Sequence, residues 1–223
     1  MSDAATITAI KSQERDRERV SIFVDGEFAF AVTAELAVLE GLRIGAPITA
    51  ERIAELQATD EQSKAVSSAL VLLTSRPRSV REIRTRLKHK GFSEPAIDAA
   101  MARVEGWNYV DDAAFARFWV ENREANRPRG RRLLEQELRD KGVDRDIVRT
   151  AIDEADLDER TAATELARAK MRSYARLEPD VIRRRLSGFL ARKGYGFDVV
   201  KHALAEVMDG RPEAEETEES DGI

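Results

Sequence analysis

Three stretches of this chain fit a single template: Arg, any residue, Ile or Leu, three residues, Leu, two residues, Lys-Gly. They are Arg81-Glu-Ile83-Arg-Thr-Arg-Leu87-Lys-His-Lys90-Gly91, Arg132-Leu-Leu134-Glu-Gln-Glu-Leu138-Arg-Asp-Lys141-Gly142 and Arg184-Arg-Leu186-Ser-Gly-Phe-Leu190-Ala-Arg-Lys193-Gly194. The glycines are 51 and 52 residues apart. A period of that length marks one supersecondary unit used repeatedly, and an array of such units excludes most enzyme folds.

Helical periodicity carries each unit. In the first, Val66, Ala69, Leu70 and Leu73 share a face ahead of Arg76-Pro77. Ser79 then caps a motif helix with Val80, Ile83 and Leu87 inward, Gly91 closes it in the left-handed conformation, and Phe92 folds back over the last turn. A third helix carries Ile97, Met101 and Val104. The second unit repeats the pattern through Phe115, Phe118 and Trp119, then Leu134 and Leu138, then Val143, Ile147 and Ala151. The third runs through Leu166 and Met171, Leu186 and Leu190, then Tyr195, Val199 and Ala203. One three-helix bundle is marginal alone, and stacking on neighbours is expected to complete the core.

The first forty residues differ. Ala5 to Ile10, Arg19 to Val24 and Glu27 to Val32 read as extended segments, and Asp25-Gly26 supplies the turn of a hairpin. A short helix is expected over Thr33 to Glu40, stopped by Gly41. A second is expected from a cap at Thr49 through Leu56, with the helices of the first repeat starting near Asp60. The predicted fold is mainly all-α: a tandem array of three three-helix repeats behind a small antiparallel β-sheet. The expected divisions are 1–58 for the sheet module, 59–110, 111–156 and 157–208 for the repeats, and 209–223 for an acidic tail. That tail holds seven acids against Arg211 alone. It carries −6 of the net −5, which leaves +1 for residues 1–208. It is expected to be disordered, either as a solubilising segment or as a mimic of nucleic-acid phosphates.

The chemistry of catalysis is poorly represented. There is no cysteine, and the two histidines, His89 and His202, lie in different repeats. No phosphate loop, dinucleotide fingerprint or nucleophile elbow occurs. Asp111-Asp112 reads as a helix cap and first turn rather than a metal site. No cofactor or metal is expected. The amino terminus lacks a signal-peptide pattern and no apolar run is long enough to span a membrane, so a cytoplasmic location is expected.

Basic charge is the informative chemistry. Arg76, Arg78, Arg81, Arg84, Arg86, Lys88 and Lys90 lie in fifteen residues with only Glu82 opposing them. Arg81, Arg84 and Lys88 share one helical stripe. A second cluster holds Arg123, Arg127, Arg129, Arg131 and Arg132. A third holds Arg183, Arg184 and Arg185, with Arg192 and Lys193 further along. A solvated face accounts for such charges as readily as a ligand does. Recurring at the repeat period, they would also form a segmented basic track able to follow a phosphate backbone or an acidic groove.

These residues resemble the RecX family, regulators of the RecA recombinase, over about Ser68 to Val207. Arg78-Ser79 followed by Glu82-Ile83, Leu87 and Gly91 looks like the family's first repeat. Tyr109-Val110-Asp111-Asp112-Ala-Ala-Phe115-Ala116, Arg123, Gly130 and Leu138-x-x-Lys141-Gly142-Val143 look like the second. Phe189-Leu190-x-x-Lys193-Gly194-Tyr195 matches the third more loosely. Asn108 stands where a glycine is usual, an exchange that a left-handed position tolerates. The resemblance implies a non-enzymatic protein that lodges in the groove of RecA filaments on single-stranded DNA. It implies restraint of ATP hydrolysis, strand exchange and co-protease activity, with direct DNA contact in some relatives. On that reading Arg78, Arg81, Arg84, Lys88, Arg127, Arg129, Arg131, Arg132, Arg183, Arg184, Arg185, Arg192 and Lys193 are the candidate contacts. A monomer is expected, and no long heptad seam is present. The alternative from the residues alone is a helix-turn-helix-like DNA-binding protein acting without RecA.

Overall fold

The structure, a computed structural model, describes residues 5–14, 16–174 and 176–209. The chain divides into two compact units, Met1–Asp111 and Asp112–Ile223. The acidic segment after Asp209 lies outside the described residues.

The first unit begins with strands β1 (Ala5–Ser12), β2 (Arg19–Val24) and β3 (Glu27–Thr33). Asp25 and Gly26 turn the β2–β3 hairpin with φ of 49° and 91°, the positive values such a two-residue turn requires. Helix α1 (Ala34–Leu39) follows, capped by the Thr33 hydroxyl. A two-residue strand, β4 (Pro47–Ile48), then pairs antiparallel with β1, giving a sheet ordered β3-β2-β1-β4. This fourth strand is missing from the sequence reading because Pro47 there looks like the approach to a helix cap. Ile7, Ile22, Phe30 and Val32 line the buried side of the sheet, and Leu56 packs among them.

Leu56 belongs to α2 (Ala50–Leu73), one unbroken helix of 24 residues where the sequence pattern suggested two. The reason is Asp60, which by residue type looks like a helix cap but lies inside the helix, 3% exposed. Its carboxylate accepts from both terminal nitrogens of Arg19 on β2 (3.1 and 3.0 Å) and from the Thr33 backbone N–H (2.9 Å), and Lys64 pairs with it at 2.7 Å. Burial disfavours the charge, but these donors outweigh it and hold the carboxyl below the ordinary carboxylate range. The ion ties the sheet to the helix that also begins the first repeat. That repeat is completed by α3 (Val80–His89) and α4 (Glu94–Gly106).

The second unit holds α5 (Asp112–Asn126), α6 (Arg131–Asp140) and α7 (Arg145–Glu154), then α8 (Glu159–Met171), α9 (Pro179–Arg192) and α10 (Phe197–Asp209). The three template helices, α3, α6 and α9, end identically. Gly91, Gly142 and Gly194 have φ of 87°, 82° and 92°. Phe92, Val143 and Tyr195 each return a backbone N–H to the carbonyl of the template leucine, Leu87, Leu138 and Leu190. This is the Schellman arrangement, and it explains why Gly precedes an apolar residue in every repeat.

The apolar interior falls into four clusters, one for the sheet module and one for each repeat. Each three-helix bundle gathers its own cluster, and at the join of repeats two and three Leu157 packs against the core of repeat two while Leu133 meets Gly194.

Candidate binding face

On α3, Ile83 and Leu87 point into the core and the arginines point away. Ser79 caps the helix by accepting from the Glu82 N–H at 3.2 Å, and Arg76 clasps the Glu82 carboxylate at 3.0 and 3.1 Å. Arg78 serves the backbone, donating to the Leu72 carbonyl (2.7 Å) and the Ser75 hydroxyl (3.3 Å). Burial and the charge of Arg76 pull its pKa below the usual guanidinium value. Arg84 pairs with Asp98 and, at 3.6 Å, with Glu94, while Lys88 pairs with Glu94 at 2.7 Å. The acids sit on α4, the third helix of the same repeat. All four side chains are 37–72% exposed, so the pairs hold little energy. They form an exposed charge screen over the basic stripe of α3. Arg81 has no ion-pair partner among the described residues and is exposed.

Repeats two and three meet at two glycines. Gly130 precedes α6 at the place where Ser79 precedes α3, and its N–H donates to the Lys193 carbonyl at 2.9 Å. A Cβ on Gly130 would lie 2.3 Å from the Gly194 carbonyl carbon, and one on Gly194 would lie 2.4 Å from the Leu133 Cβ. No capping side chain fits there. Glu159 at the start of α8 takes its place, accepting the Arg131 N–H at 2.8 Å, where a carboxylate also suits the helix dipole.

This contact brings Arg127 and Arg129, in the turn before α6, to Lys193 at the end of α9. Burial, then the charges of Arg129 and Arg127, lower the Lys193 pKa, as expected for an ammonium in cationic company. Its Nζ lies 5.7 Å from the centre of the Phe189 ring. Glu137 is the carboxylate on this side. It accepts from Arg123 Nε (2.7 Å) and Trp119 Nε1 (2.9 Å) and stands 3.6 Å from Arg129. Trp119 is flanked by Arg123 at 4.2 Å and Lys141 at 5.0 Å. One carboxylate thus serves two guanidiniums, and Arg127 and Lys193 have no ion-pair partner among the described residues. Arg127, Arg129 and Lys193 cluster here, with Glu137 beside Arg129 and Glu159 on the Gly130 side.

The remaining candidates separate into two kinds. Arg131 is neutralised by Asp153 and by Glu135 (3.3 Å), and the Asp153 bond raises its pKa. Arg132, Arg183, Arg184 and Arg192 are exposed without an ion-pair partner among the described residues, and Arg185 lies 5.7 Å over Tyr174. Sequence reasoning missed Glu94, Asp98, Glu137, Asp153 and Glu159, the acids that decide which arginines keep their charge available. The acids lie on a neighbouring helix, as Glu94, Asp98 and Asp153 do, or on the template helix itself, as Glu137 does on α6. Among the described residues no group of three or more His, Asp or Glu could hold a metal ion, and no helix is long and apolar enough to cross a membrane.

Comparison with known proteins agrees with this architecture element by element. Residues 5–49 match the model of the regulatory protein RecX N-terminal domain. Residues 65–103, 111–152 and 158–204 match the first, second and third three-helix domains of RecX. The chain is 34% identical over 220 residues to the regulatory protein RecX of Halalkalibacterium halodurans, covering 96% of this chain and 82% of that one. It is 29% identical over 208 residues to that of Clostridium botulinum, covering 92% and 97%. A crystal structure of regulatory protein RecX superposes with a TM-score of 0.68 at 24% identity, over 93% of this chain and 100% of that one. The sheet module and the three repeats, each matched in order, place the chain in the RecX family of regulatory proteins.

Proposed function

We propose that this chain is a non-enzymatic modulator, mainly an inhibitor, of RecA. It binds as a monomer in the groove of RecA filaments on single-stranded DNA, in the cytoplasm, and restrains ATP hydrolysis, strand exchange and co-protease activity without a cofactor. The observation that carries this reading is the cationic junction of Arg127, Arg129 and Lys193, in which Arg129 shares Glu137 with Arg123 and the other two have no ion-pair partner among the described residues, in a chain of RecX family architecture. Successive repeats, 59–110, 111–156 and 157–208, offer such contacts at intervals along a polymer. Several weak contacts then add through effective concentration, and no deep pocket is needed.

Fluorescence anisotropy of the labelled protein tests the proposal. The titrants are filaments of RecA, an ATP analogue and single-stranded DNA, with naked DNA and unassembled RecA alongside. Preferential binding to the filament is expected. Equal binding to naked strand, falling steeply with log salt, would favour the DNA-binding alternative supported by the same cationic junction.

A further inference from the structure

The first unit ends in an aromatic feature that the arginine face does not include. Trp107 and Tyr109 are 48% and 61% exposed, with ring centroids 6.0 Å apart and planes inclined at 64°. Arg103, one turn back on α4, places its guanidinium 6.0 Å from the centre of the Trp107 ring and has no ion-pair partner among the described residues. The pair is held firmly. Asn108 between the rings takes the left-handed conformation at φ 57°. The N–H groups of Trp107, Asn108 and Tyr109 return to the carbonyls of Arg103, Glu105 and Val104 at 3.0, 2.8 and 3.0 Å. Val104 and Val110 on either side are buried in the core of the first repeat. The other tryptophan, Trp119, is satisfied internally by Glu137 and two cations.

We infer that Trp107, Tyr109 and Arg103 form a seat for a nucleobase of a single DNA strand, the rings stacking on the base and the guanidinium meeting an adjacent phosphate. Rigid exposed aromatics beside an unpaired cation supply both halves of that recognition, the π-face and the charge. Size favours a base over a protein surface. The exposed ring area is on the order of 200 Å², whereas a stable protein interface buries about 800 Å² on each partner. The inference rests on the reading that the chain works where single-stranded DNA is present.

Intrinsic fluorescence tests it, because the chain has only two tryptophans. Oligo(dT) is expected to quench the wild-type protein, and Trp107→Phe, which leaves Trp119 as the only emitter, is expected to lose that quenching. An abasic strand with the same phosphates should leave Trp107 emission unchanged. Trp107→Ala with Tyr109→Ala should weaken oligo(dT) binding by about tenfold or more. Equal quenching by the abasic strand, or none by oligo(dT), overturns the seat. Quenching of Trp107 by RecA alone would assign the rings to a protein contact instead. Filament binding without any change at Trp107 would remove the seat and leave the RecA reading standing. Quenching by oligo(dT) without preference for the filament would do the reverse.

Discussion

The two units of the chain solve the same problem of joining small modules by opposite means. In the first, the sheet is joined to the first repeat by a buried carboxylate, Asp60, that collects Arg19, Lys64 and the Thr33 N–H. In the second, repeats two and three are joined by the absence of side chains, with Gly130 against Gly194 and Glu159 supplying the missing cap. The template behaves differently in the two settings. Gly91 has nothing within 4 Å of where a Cβ would stand, and Arg84 and Lys88 of the basic stripe beside it are screened by acids on α4. Gly194 is packed on backbone, and the lysine beside it is crowded by arginines. A repeated sequence therefore fixes local geometry, while the neighbouring helix decides what chemistry the motif presents.

The contrast can be broken most directly at its two joints. Asp60→Ala leaves Arg19 with an unpaired, largely buried guanidinium and should cost the first unit about 3–5 kcal/mol in urea unfolding. A loss confined to the level of a surface pair would remove the joint. The sign with pH follows from the lowered pKa. The carboxylate's contribution is full above the unfolded value, near pH 4, and is lost as pH falls through the lower folded value. Asp60→Asn should flatten that acid limb.

Gly194→Ala should cost the second unit at least about 3 kcal/mol, since overpacking adds to the strain of a left-handed residue. Gly91→Ala, with strain alone, should cost about 1–2 kcal/mol in the first unit. Equal losses would mean that the glycine contact is not a joint.

Smaller effects sharpen the electrostatic half of the comparison. Lys193→Glu should lower the slope of log binding constant against log salt by about 1–2 for the filament, whereas Arg84→Glu, whose charge is already screened, should change it by less than about 1. A reversed order would shift the contact face to the first repeat.

The smallest effect is expected at Tyr195, whose hydroxyl has no hydrogen-bond partner among the described residues. Burial, then the charge of Glu159, raises its pKa to about 12. Its stabilising contribution is complete below the unfolded value near pH 10 and is lost as pH rises toward 12. Tyr195→Phe should reduce that alkaline loss of stability while leaving the melting temperature near neutrality almost unchanged.

Local features were legible where one or two residue types dictate a backbone conformation. The Asp25-Gly26 turn, the Ser79 cap and the glycine stops follow from side-chain chemistry within four residues, and the left-handed Asn108 from the glycine usual at that place in the RecX family. Features that depend on a distant partner were not legible. Asp60 reads as a helix start until Arg19, 41 residues away, is seen to hold it inside one. Gly130 reads only as part of an arginine-rich turn until the Gly194 backbone is placed against it. The availability of the paired candidate arginines depends on acids 4 to 22 positions away, as with Arg131 and Glu135, Arg129 and Glu137, Arg84 and Asp98, or Arg131 and Asp153. Charge counted along a sequence cannot show that pairing.

The unbroken course of α2 has a mechanical consequence. A helix shared by two modules sets their rotational phase as well as their distance, because each residue advances about 100° and 1.5 Å. One residue inserted between Leu56 and Asp60 would turn the sheet by more than a quarter revolution about the first repeat. That would carry Arg19 and Thr33 off the Asp60 carboxylate. Changes of length in this segment are restricted to near-whole turns, so α2 works as an indexed shaft whose pitch both modules must share.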